Sequence, residues 1–149
     1  MDEKLSDIRC CLLNASSLCN KLADLYCLLY ADKIDILFVT ESWLHSGIPD
    51  GLLDPQGKYS IIRRDRPAHR GGGVCIMIDK TIPYYEVRCD ANDSVELVAV
   101  DVMLGSRKYR FVNIYRSPSH GTNKKLYVKE LLNSRQKAVY CEMSSNCCW

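Results

Sequence analysis

The chain has 149 residues, of which 47% are hydrophobic and 26% are charged, and its formal net charge is +2. These values are ordinary for one globular domain and exclude a disordered or collagen-like chain. No run reaches the roughly 18 uncharged apolar residues that a membrane span requires. The first residues are rich in acids and lack the basic start of a signal peptide, so we expect an intracellular protein.

Charge is distributed unevenly along the chain. Residues 1–101 hold 11 Lys and Arg against 16 Asp and Glu, whereas residues 102–149 hold 9 against 2. On charge alone, the basic C-terminal part is therefore the candidate for contact with phosphate groups. The nine cysteines are an odd number, and five of them fall inside apolar segments where a free thiol packs as a small hydrophobe. No disulfide framework is predicted.

The first predicted elements form a strand, a turn and an amphipathic helix. Residues 8–14 are an apolar run, and Ser16 and Ser17 follow as a candidate N-cap for the helix. The helix is predicted from four leucines at helical spacing, namely Leu18, Leu22, Leu25 and Leu29. The next apolar run, residues 34–43, has the β-branched content of a buried strand, so the region predicts the start of a βαβ unit.

Two polar side chains stand near the ends of these strands. Asn14 ends the first run, and Glu41 lies near the end of the second. If the strands are neighbours, both side chains face one crevice, and Glu41 is then a candidate metal ligand. Each residue also has a purely structural interpretation. Glu41 would simply begin the following loop, and Asn14 would be a turn or N-cap residue.

Five further strands are predicted after a loop rich in Gly, Pro and Asp. Their ranges are 59–62, 74–78, 84–89, 95–104 and 108–115, and Gly105 with Ser106 forms a plausible hairpin turn between the last two. Residues 96–102 alternate in polarity, which predicts a strand with one buried and one wetter face. The triple glycine at residues 71–73 precedes a strand, and no Gly-Lys-Ser/Thr follows it. We interpret it as a turn or a close backbone approach, not as a phosphate cradle.

The remaining features are an arginine cluster and an irregular C-terminal part. The cluster consists of Arg63, Arg64, Arg66 and Arg70, and a solvated surface loop is the commoner explanation of such a group. Residues 123–133 hint at a helix, whereas residues 134–149 show no pattern. One early βαβ unit followed by mostly adjacent strands predicts an α/β sandwich with a mixed or largely antiparallel sheet.

Five segments in order carry a family resemblance. They are residues 12–18 with 20–22, residues 35–44, Tyr59 with residues 63–66, residues 71–74, and residues 111–118. Together they resemble the endonuclease/exonuclease/phosphatase superfamily, and more narrowly the N-terminal endonuclease domain of LINE-type non-LTR retrotransposons. The resemblance covers about residues 8–118. On this basis residues 1–118 are a partial domain of that family, and residues 119–149 are a basic helix and a tail outside it.

The resemblance implies a four-layer α/β sandwich, of which this chain would hold about the N-terminal half to two-thirds. It also implies a phosphodiesterase that nicks DNA with Mg²⁺, or with Mn²⁺ as a second candidate. Glu41 would hold the metal, Asn14 would position the metal and the scissile phosphate, and Tyr115 would donate to a phosphate oxygen. Without the resemblance, Tyr115 is the core aromatic of a strand. Arg116 and the arginine cluster would contact the DNA backbone.

The resemblance extends to partners and location. The partners would be DNA and the reverse transcriptase domain of a full-length element, with no membrane involved, and the location of a functional protein would be the nucleus.

The sequence departs from the family in its later motifs. The family needs an Asp-x-Asn motif after the Tyr-containing strand and an Asp-His pair that activates water, but no aspartate follows Asp101. We therefore expect these 149 residues to be inactive by themselves. Two alternatives remain open, a residual nucleic-acid-binding module and a non-functional fragment that does not fold stably.

Overall fold

Two four-stranded sheets form the framework of the molecule. The computed structural model describes residues 8–67, 71–89, 96–115 and 138–142. The first sheet has the order β1-β2-β4-β3, with β1 (Cys10–Asn14), β2 (Ile36–Thr40), β3 (Tyr59–Arg64) and β4 (Val74–Asp79). The second has the order β5-β6-β7-β8, with β5 (Tyr84–Val87), β6 (Glu96–Leu104), β7 (Arg107–Tyr115) and β8 (Ala138–Glu142).

The first sheet begins with the predicted βαβ unit. β1 and β2 are parallel neighbours, with Asn14 opposite Thr40, so the condition set above for Asn14 and Glu41 to share a crevice is met. Between them lies one helical segment in three parts: a 3₁₀ turn (Leu18–Lys21), α1 (Leu22–Tyr26) and a π turn (Cys27–Ala31). A second short helix, α2 (Asp50–Leu53), precedes β3.

Ser17 stands at the predicted N-cap position of this segment, but the prediction that a serine side chain caps the helix is wrong. Ser17 directly precedes the 3₁₀ turn, but its side chain makes no capping hydrogen bond. The backbone explains this, because Ser17 has a φ of 89° and its N–H donates to the Glu41 carbonyl at 3.0 Å. The chain enters the helix while held against the end of β2, so backbone hydrogen bonds take the place of the cap.

β2 is buried on both faces, which explains its unbroken apolar sequence. Leu37 and Val39 pack under the helical segment with Leu25 and Leu29. The alternate residues, such as Phe38, face the second sheet, and the Phe38 ring lies 5.7 Å from that of Phe111. Helices, first sheet and second sheet are therefore three of the four layers of the predicted sandwich, and they lie within the described residues.

Both faces of β6 are buried as well, contrary to the wetter face predicted for residues 96–102. Val98, Val100 and Val102 face the first sheet, as expected. On the outer face, Leu97 and Ala99 are 2% and 1% exposed, because they pack with Val112 and partly buried residues of β5 and β7. The polar residues that alternate along this strand are therefore not exposed to solvent. Asp101, for example, is buried in an ion pair with Arg110.

The C-terminal part adds a strand that the sequence did not predict. β8 pairs in parallel with β7, with Ala138 opposite Arg110 and Glu142 opposite Ile114. It lies within the segment that showed no pattern. The helix predicted over residues 123–133 lies outside the described residues, and the division of the chain at residue 118 stays a prediction. In the described ranges, no helix is both long and apolar enough to cross a bilayer.

Tyr59 ties the helical segment to the first sheet. Its hydroxyl lies 2.7 Å from the Leu29 carbonyl and 2.8 Å from the Ile34 carbonyl, at the point where the helix widens into the π turn. Burial raises the pKa of Tyr59 to about 12, so the hydroxyl keeps its proton in neutral solution. Tyr59 has one O–H, so the hydroxyl shares its hydrogen bond between these two carbonyl groups, one in the helical segment and one just before β2.

Replacing Tyr59 by Phe should therefore lower the free energy of unfolding by about 1–3 kcal/mol, because buried carbonyl groups lose a donor. Tyr85→Phe is the matched control: Tyr85 is 67% exposed, and its change should stay within about 0.5 kcal/mol. Urea unfolding of both variants measures the difference. Equal effects would show that the Tyr59 bridge contributes nothing.

Asp101 makes the free energy of unfolding depend on pH in the acidic range. On the β6–β7 pair, Arg110 donates to both Asp101 oxygens at 2.7 and 2.9 Å, and this pairing holds the pKa of Asp101 below its usual value of 3.8. A carboxyl whose pKa is lower in the folded chain stabilises it above the unfolded pKa, and the contribution disappears as pH falls through the folded pKa.

Asp101→Asn should consequently reduce the free energy of unfolding by about 1–2 kcal/mol at pH 7. The difference from the unsubstituted protein should persist at pH 5 and shrink as pH falls below about 4, since the unfolded state then binds the proton while the folded state, with its lower pKa, does not. Urea unfolding across pH tests this, with Glu86→Gln on the exposed face of β5 as a control. A difference that does not depend on pH would contradict the ion-pair explanation.

Candidate functional site

The ends of several strands meet at one edge of the sandwich. Asn14 is the last residue of β1, and Glu41 follows the last residue of β2. In the second sheet, Tyr115 is the last residue of β7 and lies opposite Glu96, the first residue of β6. The structure therefore places Asn14 and Glu41 at the ends of neighbouring strands, and it brings Tyr115 to the same edge from the other sheet.

Glu41 is the centre of this edge. Its Oε1 accepts a close hydrogen bond from the Tyr115 hydroxyl, across 74 residues of sequence. Its Oε2 accepts from Trp43 Nε1 at 2.6 Å and from the Gly72 N–H at 3.2 Å. A carboxylate oxygen offers about two lone pairs, so these contacts occupy Oε2 and leave one lone pair on Oε1. Among the described residues, the hydrogen bonds to Glu41 thus leave one lone pair of Oε1 unused, and the assignment of Glu41 to a metal stays a prediction.

A left-handed backbone turn aims Glu41 into the crevice. Glu41 and Trp43 both have a φ of 54°, which is uncommon for residues other than glycine. The turn is held by two backbone hydrogen bonds, from Ser42 N to the Gly73 carbonyl at 3.1 Å and from Trp43 N to the Gly72 carbonyl at 2.9 Å. Non-glycine residues in this conformation cluster at functional sites, because only surrounding contacts can maintain them.

The triple glycine is a close backbone approach, as predicted. All three glycines have positive φ, and a Cβ added to Gly73 would lie 2.5 Å from Ser42 Oγ. The loop can thus lie directly against the turn after β2 only because it lacks side chains. Its N–H groups point to two carboxylates, Gly72 to Glu41 and Gly73 to Glu96 at 2.6 Å.

Glu96 is a site residue that the sequence analysis did not identify. It is 8% exposed, and it binds Arg66 as well as the Gly73 N–H. Arg66 in turn lies over the ring of Tyr115, at 6.0 Å from the ring centroid. In the sequence, Glu96 is only an acid at the start of an apolar strand. Its pairing opposite Tyr115 is what places it at the site. Trp43 was missed for the same reason.

Tyr115 is a core aromatic, as one interpretation of the sequence predicted, and its role towards a phosphate oxygen stays a prediction. It is 4% exposed and belongs to the core between the sheets, and its hydroxyl still reaches the carboxylate of Glu41. Asn14 is partly buried, and its Oδ1 accepts a long hydrogen bond from Ser16 Oγ at 3.4 Å. Its place at the end of β1 puts it on the same sheet edge as Glu41, and its assignment to metal or phosphate stays a prediction.

The arginine cluster does not form a solvated loop where the structure describes it. Arg63 is on β3, and its five N–H donors can all be accounted for by groups of the chain. They bond to His45 O, Ile48 O, Asp50 and Asp65, at 2.8 to 3.2 Å. Arg63 thus holds the loop before α2, which leaves no donor for DNA in this conformation.

The other arginines differ in position. Arg66 is paired with Glu96, as described above. Arg64 lines a groove of about 380 Å³ between the edges of β3 and β5, where it lies with Arg63, Arg88 and Glu86. Arg70 and Arg116 lie outside the described residues. With Arg63 bound to groups of its own chain, Arg64 and Arg88 still outnumber Glu86, so the groove is a candidate surface for a phosphate backbone.

In the described part of the chain, no three His, Cys, Asp or Glu side chains come together in a way that could hold a metal ion. A cation at Glu41 would have to complete its coordination with amide, water or substrate oxygen. Mg²⁺ fits such a site better than Zn²⁺, because it accepts oxygen ligands and keeps several waters, whereas Zn²⁺ prefers several protein N or S ligands.

Comparison with known proteins gives structural matches only, since no family model and no curated protein matches the chain. The endonuclease domain of TRAS1, a telomere-specific non-LTR retrotransposon, is similar with a TM-score of 0.68 and 12% identity, over 89% of this chain and 58% of that one. An AP endonuclease from Archaeoglobus fulgidus has a TM-score of 0.65 and 15% identity, over 91% and 56%.

A third solved structure supports the same comparison. An endonuclease/exonuclease/phosphatase family protein from Leptotrichia buccalis C-1013-b has a TM-score of 0.62 and 10% identity, over 90% of this chain and 65% of that one. The chain thus spans less than two thirds of the length of each of these proteins. The likeness covers 89–91% of this chain in the three comparisons, and the chain therefore has the endonuclease/exonuclease/phosphatase fold.

Proposed function

We propose that the chain is part of a Mg²⁺-dependent phosphodiesterase domain of retrotransposon origin that nicks DNA. The observation that carries the proposal is the Glu41 carboxylate, held at the meeting edge of two sheets with one oxygen open to a cation. Two of the similar structures are endonucleases by name. By the same resemblance, the reverse transcriptase of a full-length element is the expected partner and the nucleus the expected location.

The metal would be held by Glu41, with Asn14 alongside it at the end of the neighbouring strand. When bound, Mg²⁺ supplies positive charge that polarises a phosphate and neutralises the leaving oxygen. The neutral amide of Asn14 contributes an oxygen or a donor without a second negative charge. Mn²⁺ meets the same requirements and is the more convenient ion to measure.

Tyr115 has one O–H and therefore one hydrogen bond to give at a time. The hydroxyl now donates to Glu41. We propose that it turns from Glu41 to a nonbridging phosphate oxygen when a phosphodiester is bound. The tyrosine then holds the substrate from the second sheet while Asn14 and Glu41 hold it from the first, which fixes the phosphate between the sheets.

We further propose that these 149 residues bind metal without hydrolysing DNA. Attack on phosphorus needs a base within hydrogen-bond reach of the attacking water. The sequence has no aspartate after Asp101, so these residues include neither an Asp-x-Asn motif after the Tyr115 strand nor the Asp-His pair that the resemblance requires. The residues present therefore suit binding and orientation, and those that would activate water are not among them.

Metal binding can be followed through the indole of Trp43, which bonds directly to Glu41. In a Trp149→Phe background, Trp43 is the only tryptophan. Mn²⁺ should change its fluorescence with a dissociation constant on the order of 1 mM, because a single carboxylate provides the charge. Glu41→Gln should weaken the response at least about tenfold, while Glu86→Gln on the edge strand should leave it unchanged.

The same protein should not nick supercoiled plasmid in Mg²⁺ or Mn²⁺ above the level of a Glu41→Ala variant. Nicking that requires Glu41 would show that the chain contains a complete catalytic site. A fluorescence titration that is identical for the protein and its Glu41→Gln variant would instead reject the metal site itself.

A second candidate function, a residual nucleic-acid-binding module, is favoured by the basic groove beside the site. Arg64→Gln and Arg88→Gln should each weaken binding to a short DNA duplex and reduce the salt dependence, because each removes about one phosphate contact. Lys58→Gln, on the loop before β3, is the matched charge control. Binding that does not change with salt would exclude this function.

A further inference from the structure

A buried amide joins the two sheets close to the proposed site. Asn113 lies on β7, is fully buried, and donates from Nδ2 to the Val39 carbonyl at 2.8 Å and to the Cys75 carbonyl at 2.9 Å. Val39 and Cys75 are opposite each other on β2 and β4. A single side chain of the second sheet therefore bonds to two central strands of the first.

The side-chain amide of Asn113 can adopt only one orientation, and this orientation leaves one buried polar atom without a partner. Rotating the group by half a turn would place its oxygen against two carbonyl oxygens, so both N–H donors must face the first sheet. Asn113 Oδ1 then finds no partner within the described part of the chain. A buried acceptor without a partner is destabilising. The fold thus keeps this group although an apolar residue would avoid the penalty.

Asn113 lies two residues before Tyr115, and its partner Val39 lies two residues before Glu41. The Asn113–Val39 hydrogen bond and the Tyr115–Glu41 hydrogen bond both span 74 residues. On β7, Asn113 and Tyr115 are two residues apart, and alternate residues of a strand point to the same face. Their acceptors are the backbone carbonyl of Val39 on β2 and the side chain of Glu41, which follows β2 and is turned by its left-handed backbone. The two bonds are therefore neighbouring links between β7 and the end of β2.

We infer that Asn113 is a positioning residue that places the Tyr115 hydroxyl on the Glu41 carboxylate. The inference rests on the proposed function, since the position matters only if Glu41 holds a cation. The hydrogen-bond partners of a ligating carboxylate orient it, and their loss commonly weakens metal binding by about 10–100-fold. Without the amide, the sheets keep their apolar contacts but lose the directional bonds that set their relative position.

A double-mutant cycle tests this role. The dissociation constant for Mn²⁺ is measured by Trp43 fluorescence, in the Trp149→Phe background, for Asn113→Val, Tyr115→Phe and the two together. Tyr115→Phe should weaken binding about tenfold or more. Asn113→Val should weaken it at least about threefold when Tyr115 is present and leave it unchanged in the Tyr115→Phe background, because Asn113 acts through the tyrosine.

Phe111→Leu controls for loss of stability alone. Phe111 is on the same strand and the same face as Asn113 and packs between the sheets, but it forms no hydrogen bond with its aromatic side chain. It should lower the melting temperature without changing Mn²⁺ affinity. If Asn113→Val does not fold, Asn113→Thr, which keeps one donor, takes its place in the cycle.

The outcomes separate the two proposals. If the unsubstituted protein does not bind Mn²⁺ through Glu41, the proposed function fails. If it binds, and Asn113→Val either has no effect or has the same effect with and without the Tyr115 hydroxyl, the positioning role is wrong and Asn113 is a core contact only.

Discussion

The hydrogen bond from the Tyr115 hydroxyl to Glu41 joins the last residue of one strand to the residue after another, in different sheets. It can form only if both strands end at the same level and the sheets lie face to face. The left-handed turn at Glu41, the glycine loop against it and the Arg66–Glu96 pair over Tyr115 all surround this one contact. The carboxylate is thereby held in one orientation, and preorganisation of this kind is what the proposed cation site would need.

The sequence predicted most of the framework, because the framework depends on local pattern. The unbroken apolar content of β2 follows from burial on both faces, and the leucines of the helical segment follow from its packing on that strand. The hairpin at Gly105 and Ser106 was equally clear. The errors have physical causes as well. Ser17 was assigned a cap that the backbone supplies, and β6 was assigned a wet face that other side chains cover.

The site was only partly predictable, because its contacts are distant in sequence. Glu41 and Tyr115 could be identified from family-like motifs, although their contact could not. Glu96, Trp43 and Asn113 act through partners on other strands, and no spacing within the chain marks such a pair. Arg63 shows the converse, since a residue that resembled a DNA contact is held by carboxylates and carbonyl groups of its own chain. Charge in a sequence does not reveal whether it is already neutralised.

The 74-residue separation between the partners also bears on the kinetics of folding. The β6–β7 hairpin has a two-residue turn, so its strands can pair through contacts that are close in sequence. Formation of the Glu41–Tyr115 hydrogen bond instead closes a long loop, which costs conformational entropy. Both carboxylate and phenol therefore reach their places only once the halves of the sandwich have docked.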